Sequence, residues 1–542
     1  MLNNWLEECI TSHTACVASL SKLPKRVVDI SGDVPKVVET QGLTFSRYTT
    51  LSHCWGGGAG VIKTTRSNLS RLKMGISSSE LSRIFRDAIT VTRIVNCQWI
   101  WIDSLCIIQD DDLDWKEESV KMAEIYSGSF LNIAATSSSS GSGTLFSSRW
   151  CLGDYEDDYR EWPVEPIRLS KYSNDENDGL FVRIELRSGH RYITRKLIHG
   201  RRVEAPLLDR AWVFQERLLA PRSLHFSTSE LIWECSSSLA CECTGLGVMS
   251  CPGESRKKEY SPLREANNVT NISSILLNGL KVCFTEICQH QASKNDILDF
   301  WLWAVEVYSS LLLSKTSDRP IALAGIAQRI SDKINCDYLA GIWIADLPRA
   351  LLWVSIPRSS LFTVRSSPSA PTWSWMSHYN ATNSACNILY FSVLENGLIQ
   401  DHRLALNHSG IYCELAEGRP FENVVSGQIE IVTAVIQGTI LSNVRGKDFH
   451  IKVQSSLGES RHFFWGDCLG VDQIRNGDDV FCVLIGTNKQ SRFEGPRAHF
   501  EYVLVLKSLN REGYYIRIGT ANFDLQEGSF FKDAEVKVVK IL

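Results

Sequence analysis

From Gln98 the chain reads QWIWIDSLCIIQDDDLDWKEESVKMAEIY, and its polarity changes twice within that stretch. Residues 99–103 are apolar up to a closing aspartate. The pattern predicts a buried strand that delivers the Asp103 carboxylate at its C-terminal end, where open α/β sheets hold their ligand crevices. Asp110, Asp111, Asp112 and Asp114 then offer N-caps and charge that suits the macrodipole, so a helix is predicted from near Trp115. Along it Glu117, Lys121 and Glu124 fall at i, i+4, i+7 on a solvent face with one opposite-charge pair. Glu118, Met122 and Ile125 fall at the same spacing on the apolar face, so Glu118 points inward. An inward carboxylate is paired, hydrogen-bonded, protonated or at the wall of a pocket, because an unpaired buried charge costs several kcal/mol. Two readings stand: a structural ion pair with an arginine such as Arg149 or Arg210, or a functional acid.

Upstream, PKRVVDI and PKVVET alternate like two short strands around Ser31, Gly32 and Asp33. RYTTLSHCWGGG is an apolar strand running into Gly56, Gly57 and Gly58, with Ser52, His53 and Trp55 at its polar end. ELSRIFRDAITVTRIVN follows as an amphipathic helix with Leu81, Ile84, Phe85, Ala88, Val91, Ile94 and Val95 on one side. Strand, loop, helix, strand is a βαβ unit, whose two strands run parallel and bring His53 and Asp103 to one rim.

Downstream, FLNIAAT predicts another buried strand and SSSSGSGT a flexible loop, while residues 150–205 are irregular and charged, a solvated insertion. In LLDRAWVFQERLLAPRSLHFSTSELIWEC, Asp209 is placed to cap a short helix carrying Trp212, Gln215, Glu216 and Arg217, and SLHFS with LIWEC reads as a hairpin. Beyond residue 299, FWLWAVEVYSSLLL and PIALAGIAQRISDKI are helical, PTWSWMS reads as an aromatic strand, and the remainder alternates like a mainly β region. The fold class expected is α/β with a mainly parallel sheet in residues 1–260, a helical region over 261–365 and a mainly β region over 366–542.

Composition narrows the function classes. The chain has 542 residues, 44% hydrophobic and 22% charged, with a net charge of −4. That balance gives no general electrostatic reason to bind nucleic acid or acidic membranes. No window approaches a membrane span and the N-terminal MLNNWLEE is acidic, which leads us to expect a cytoplasmic protein with no membrane span and no nucleic-acid partner. Seventeen cysteines, several within apolar strands such as Cys97 and Cys482, point to reduced buried thiols. Cys9, His13 and Cys16 share a helical face and would need a fourth ligand such as Cys54 or His53 to hold zinc. Cys235, Cys241, Cys243 and Cys251 follow no standard zinc spacing, so no metal is expected in either cluster.

Three blocks in this order resemble the fungal heterokaryon-incompatibility (HET) family: YTTLSHCWGGG; the run from FRDAITVTRIVN through IDSLCIIQDDDLDWKEESVKMAEIY to FLNIAAT and GTLFSSR; and DRAWVFQERLLAPRSLHF. WLEECITSHTAC, DRPIALAGIA and PTWSWMS are similar to the regions that flank such domains. The resemblance implies an effector in non-self recognition and associated cell death, working with a protein partner or by self-association. Similar proteins also sit within fungal metabolite gene clusters. The domain is thought to be distantly similar to TIR domains, some of which cleave NAD with a glutamate. By that analogy residues 51–53 parallel the first TIR strand and the WxxE at residues 115–118 the segment carrying the glutamate. The implied site has Glu118, Asp103 and His53 as catalytic candidates and Ser52, Trp55, Gly56, Gly57 and Gln109 as ligand contacts. Trp55 would stack nicotinamide, glycine amides would hold phosphates, and Glu118 would steady a ribosyl cation. No bound cofactor is expected, NAD entering as a nucleotide substrate; an enzyme acting on a small aromatic metabolite is the further alternative.

Overall fold

The computed structural model describes residues 1–16, 20–40, 45–56, 61–147, 150–152, 161–163, 167–171, 179–182, 205–243, 272–289, 292–356, 363–365, 370–380, 387–390, 398–416, 421, 424–442, 449–467, 474–488, 500–509, 511–525 and 528–542. The chain divides into two compact units, Met1–Gln291 and Ala292–Leu542, where the sequence pattern places boundaries at 260 and 365.

In the first unit, α1 (Leu2–Ser12) precedes the hairpin β1 (Arg26–Asp29) and β2 (Lys36–Glu39). Then come β3 (Thr49–Ser52), α2 (Arg83–Ile94), β4 (Trp99–Trp101), the single turn α3 (Asp103–Cys106), α4 (Asp112–Ser127) and β5 (Leu131–Ala134). After the insertion follow α5 (Ala211–Leu219), β6 (Arg222–Phe226), β7 (Leu231–Cys235), β8 (Leu239–Cys241) and α6 (Ile272–Gln289). The eight strands form one sheet in the order β8-β7-β6-β5-β3-β4-β1-β2.

The sheet is mixed, not mainly parallel. β6, β5, β3 and β4 run parallel at its centre, flanked by antiparallel β7 and β8 on one edge and β1 and β2 on the other. Connection length explains most of the difference: the central strands are joined through helices, whereas β2, β7 and β8 each follow the preceding strand after a short turn and pair with it antiparallel. The four residues of β3 and of β5 are buried, as strands covered on both faces must be.

Helix α2 buries Ile84, Phe85, Ala88 and Val91 as its spacing requires, but Ile94 is exposed. It lies nine residues, two and a half turns, beyond Phe85 and so on the opposite side. Helix α4 begins at Asp112, before Trp115, because the Asp111 carboxylate accepts the N–H groups of Leu113 and Asp114 and fixes the start there. Asp114 then turns inward and pairs with the buried Arg26 of β1, which also donates to Cys106 O at 2.7 Å. Asp209 does not cap α5; it ends the 3-10 turn Pro206–Asp209, and Arg210 occupies the N-cap.

Within 150–205, expected to be irregular, Trp150–Leu152 pairs with Glu161–Pro163 and Ile167–Lys171 with Gly179–Val182. The serine–glycine tract, expected as a flexible loop, buries Ser138 and packs Ser140 against the Gly56 turn. A Cβ on Gly56 (φ +64°) would lie 2.7 Å from Ser140 Cβ, so the residue must be glycine.

The second unit has helices α7 (Lys294–Ser309) and α8 (Ile321–Ile334) and a β-rich remainder. There β9 (Val424–Ser442), β10 (Phe449–Ser455), β11 (Gly458–Gly466), β12 (Asp479–Asn488), β13 (Phe500–Ser508) and β14 (Tyr514–Asp524) pair in a closed antiparallel ring. Its interior is filled by Ile440, Phe464, Cys482, Val505 and Phe523, among others. PTWSWMS is not a strand: Trp375–Ser377 is a 3-10 turn, started by Ser374 accepting from Met376 N–H, and Trp373 and Trp375 are fully buried.

Candidate functional site

The parallel strands β3 and β4 end side by side, so the residues that follow them share a rim. Asp103 is not the last strand residue but the first of the turn α3, with about a quarter of its side chain exposed. Its carboxylate is held on both oxygens: Trp55 Nε1–H donates to Oδ2 at 2.7 Å and Ser104 N–H to Oδ1 at 2.6 Å. Gln109 braces the turn, Nε2 donating to the carbonyls of Asp103 and Ile107.

His53 follows β3 and is buried, its ring edge-on to Phe85. Nδ1 lies 3.8 Å from Asp103 Oδ1, beyond a hydrogen bond, and among the described residues neither ring nitrogen has a partner. Burial lowers its pKa and the Arg210 charge adds to this, against the opposing pull of Asp103. The imidazole is therefore neutral at physiological pH.

The group that sequence reasoning missed is Glu216. Helix α5 carries it under the end of β3, where its buried carboxyl meets the Ser52 hydroxyl. Burial pushes its pKa up to about 7, with the Asp103 charge adding, against the relief given by Ser52 and Arg210. Ser52 Oγ also lies 3.1 Å from Asn132 Oδ1, so two acceptors compete for one hydroxyl proton. Protonating Glu216 resolves the competition: its carboxyl donates to Ser52, which donates to Asn132. Tyr126 from α4 is fully buried edge-on to Trp101, and the Glu216 and Asp103 charges both act on its hydroxyl. Arg210 donates to His53 O at 2.8 Å. A rim thus forms from Ser52, His53, Trp55, Asp103, Tyr126, Arg210 and Glu216, joining a proton-sharing carboxyl to a fixed carboxylate.

Glu118 is fully buried and Glu117 exposed, as the helical phase predicts. The pairing differs from expectation. Lys121 reaches back to Glu118 Oε1 at 3.1 Å, while Lys25 takes Glu117 at 3.2 Å. Arg210 is engaged at His53, and Arg149 lies outside the described residues. Glu118 Oε2 has no partner among the described residues, and no described hydrogen bond joins Glu118 to Asp103 or His53. Trp55 offers less platform than expected, since Lys63 Nζ sits 4.7 Å from its ring centroid. Gly56 makes the turn after the strand; Gly57 and Gly58 lie outside the described residues.

The signal for Glu216 in the sequence is faint. Seven of the nine residues of α5 are buried, so periodicity does not mark one face, and only the polar pair Gln215 and Glu216 within AWVFQERLL hints at an internal polar contact.

No curated protein and no solved structure matches the chain. Residues 48–216 match the family model of the heterokaryon incompatibility protein (HET), a span that holds every rim residue named above. Residues 48–216 of the first unit are thus a HET domain.

Proposed function

We propose that this protein is a cytoplasmic effector in non-self recognition, and that the HET-domain rim produces the output that ends in cell death. One observation supports this above the others: the span matching the family begins at Tyr48 and ends at Glu216, and so contains every residue that builds the rim. The trigger in this reading is a protein partner or a second copy of the chain. The test is induced expression of the full chain in a fungal host, with growth and viability followed over time. Growth arrest with loss of viability is expected; unimpaired growth at high soluble protein contradicts an effector role.

A second, enzymatic reading draws on Glu216, a buried acid that gains and loses its proton near neutral pH beside the Asp103 carboxylate. With a nucleotide such as NAD, the nicotinamide–ribose bond would break with its electron pair leaving on nicotinamide. Asp103 would steady the ribosyl cation, and water would add to it, passing a proton to ionised Glu216. Chemistry is assigned to these two acids and not to Glu118, which pairs with Lys121 and has no described hydrogen bond to Asp103 or His53. Incubating purified full-length protein with NAD tests this directly, free nicotinamide being the expected product and its absence the contrary result.

A further inference from the structure

Cys9 lies in the last turns of α1, His13 is that helix's C-cap, and Cys16 closes the 3-10 turn Thr14–Cys16. Backbone bonds lock the three together: His13 N–H donates to Cys9 O and Cys16 N–H to His13 O. More than 200 residues later, β7 ends at Cys235 in the hairpin that edges the sheet, and its thiol joins this group. The Sγ atoms of Cys9, Cys16 and Cys235 and a ring nitrogen of His13 all lie within 4.8 Å of one another. The expectation of no metal rests on spacing, since neither cysteine cluster supplies two close-spaced ligand pairs, with His53 and Cys54 as the candidates for a fourth ligand. Both instead follow β3, at the rim, and the fourth position belongs to Cys235.

We propose that Cys9, His13, Cys16 and Cys235 bind one zinc ion as a closed structural site. Three thiolates and one imidazole are a standard tetrahedral zinc set. With Zn–S near ~2.3 Å and Zn–N near ~2.05 Å, a tetrahedron has S–N edges of about 3.5 Å. The observed Cys235 Sγ to His13 Nδ1 separation is 3.4 Å. The surroundings suit the charge. Zinc with three thiolates and a neutral imidazole carries one net negative charge, and a buried arginine stands beside it: Arg222 Nε–H donates to Cys9 Sγ at 3.2 Å and its terminal N–H to Cys16 O. Ser238 Oγ lies 3.2 Å from Cys235 Sγ and Ser237 Oγ 3.8 Å from Cys16 Sγ, supplying hydroxyl contacts to the sulfurs. Lys281 of α6 is also buried, its Nζ has no hydrogen-bond partner among the described residues, and its charge acts on Cys16 and Cys235. With all four positions taken by protein, the ion holds no open site for substrate. It ties the N-terminal segment to the edge hairpin, alongside the packing of Trp5 on Trp233 at 6.4 Å.

Glu230, Cys241 and Cys243 form a separate group of three ligand atoms, which serves as the internal control. Full-length protein purified without chelators is analysed for metal content, then stripped and titrated with Co²⁺. About one zinc per chain is expected, along with the visible bands of tetrahedral cobalt and a thiolate-to-cobalt charge-transfer band. Cys235→Ser should lose the zinc, while Cys243→Ser should keep it. Should Cys235→Ser fail to fold, the cobalt spectrum of the wild-type chain still decides. Folded wild-type protein without zinc and without that spectrum overturns the site, as does zinc retained by Cys235→Ser, or a disulfide among these three thiols.

Discussion

Replacing Glu216 by glutamine keeps the shape of the side chain and a donor for Ser52 but removes the titrating carboxyl. In the folded protein burial raises its pKa from 4.5 to about 7. Each unit is worth about 1.4 kcal/mol, so ionising this group in place costs the fold about 3 kcal/mol. The sign follows from the raised value. The protonated carboxyl contributes fully below the unfolded pKa, and that contribution is lost as pH rises from about 4.5 through about 7. Wild type and Glu216→Gln should therefore have similar melting temperatures at pH 4.5. The variant should be the more stable above pH 7.5, by on the order of 5 °C, taking about 2 °C per kcal/mol for a unit of this size. Differential scanning calorimetry of the two proteins across that range, compared pairwise so that other titrating groups cancel, gives the answer. A difference that does not change with pH would refute the buried, proton-sharing carboxyl.

Arg26→Met leaves Asp114 in a buried site with the half-exposed Lys25 and the Ile108 N–H as its remaining partners among the described residues. Chemical denaturation should show a loss of about 3–5 kcal/mol from the first unit. Glu118→Gln removes a buried carboxylate with one oxygen unpartnered among the described residues and one pairing to the half-exposed Lys121. Its unfolding free energy from chemical denaturation should stay within about 1 kcal/mol of wild type, and any growth arrest by the full chain should persist.

The parts of the fold set by local pattern were legible. Glu118's inward direction followed from its spacing to Met122 and Ile125, and the parallel centre followed from strands separated by helix-length connections. The shared rim of His53 and Asp103 followed from the same βαβ unit. What stayed hidden depends on residues far apart in the chain. Glu216 meets Ser52 across 164 positions, and Cys235 meets His13 across 222. No periodicity records such pairings, because they are made when the sheet is assembled. Lys121 misled for another reason: its long, flexible stem lets the ammonium serve either neighbouring glutamate, so helical phase alone did not fix its partner.

The rim as the seat of effector output is tested most directly by expressing the wild-type chain, Glu216→Gln and Asp103→Asn in the same fungal host at matched soluble protein. Growth rate and cellular NAD are measured together after induction. Wild type should arrest growth, and both variants should relieve the arrest while remaining folded, since losing one preorganised group costs about a hundredfold in rate. Arrest by folded Glu216→Gln and Asp103→Asn as complete as that of wild type would contradict the account.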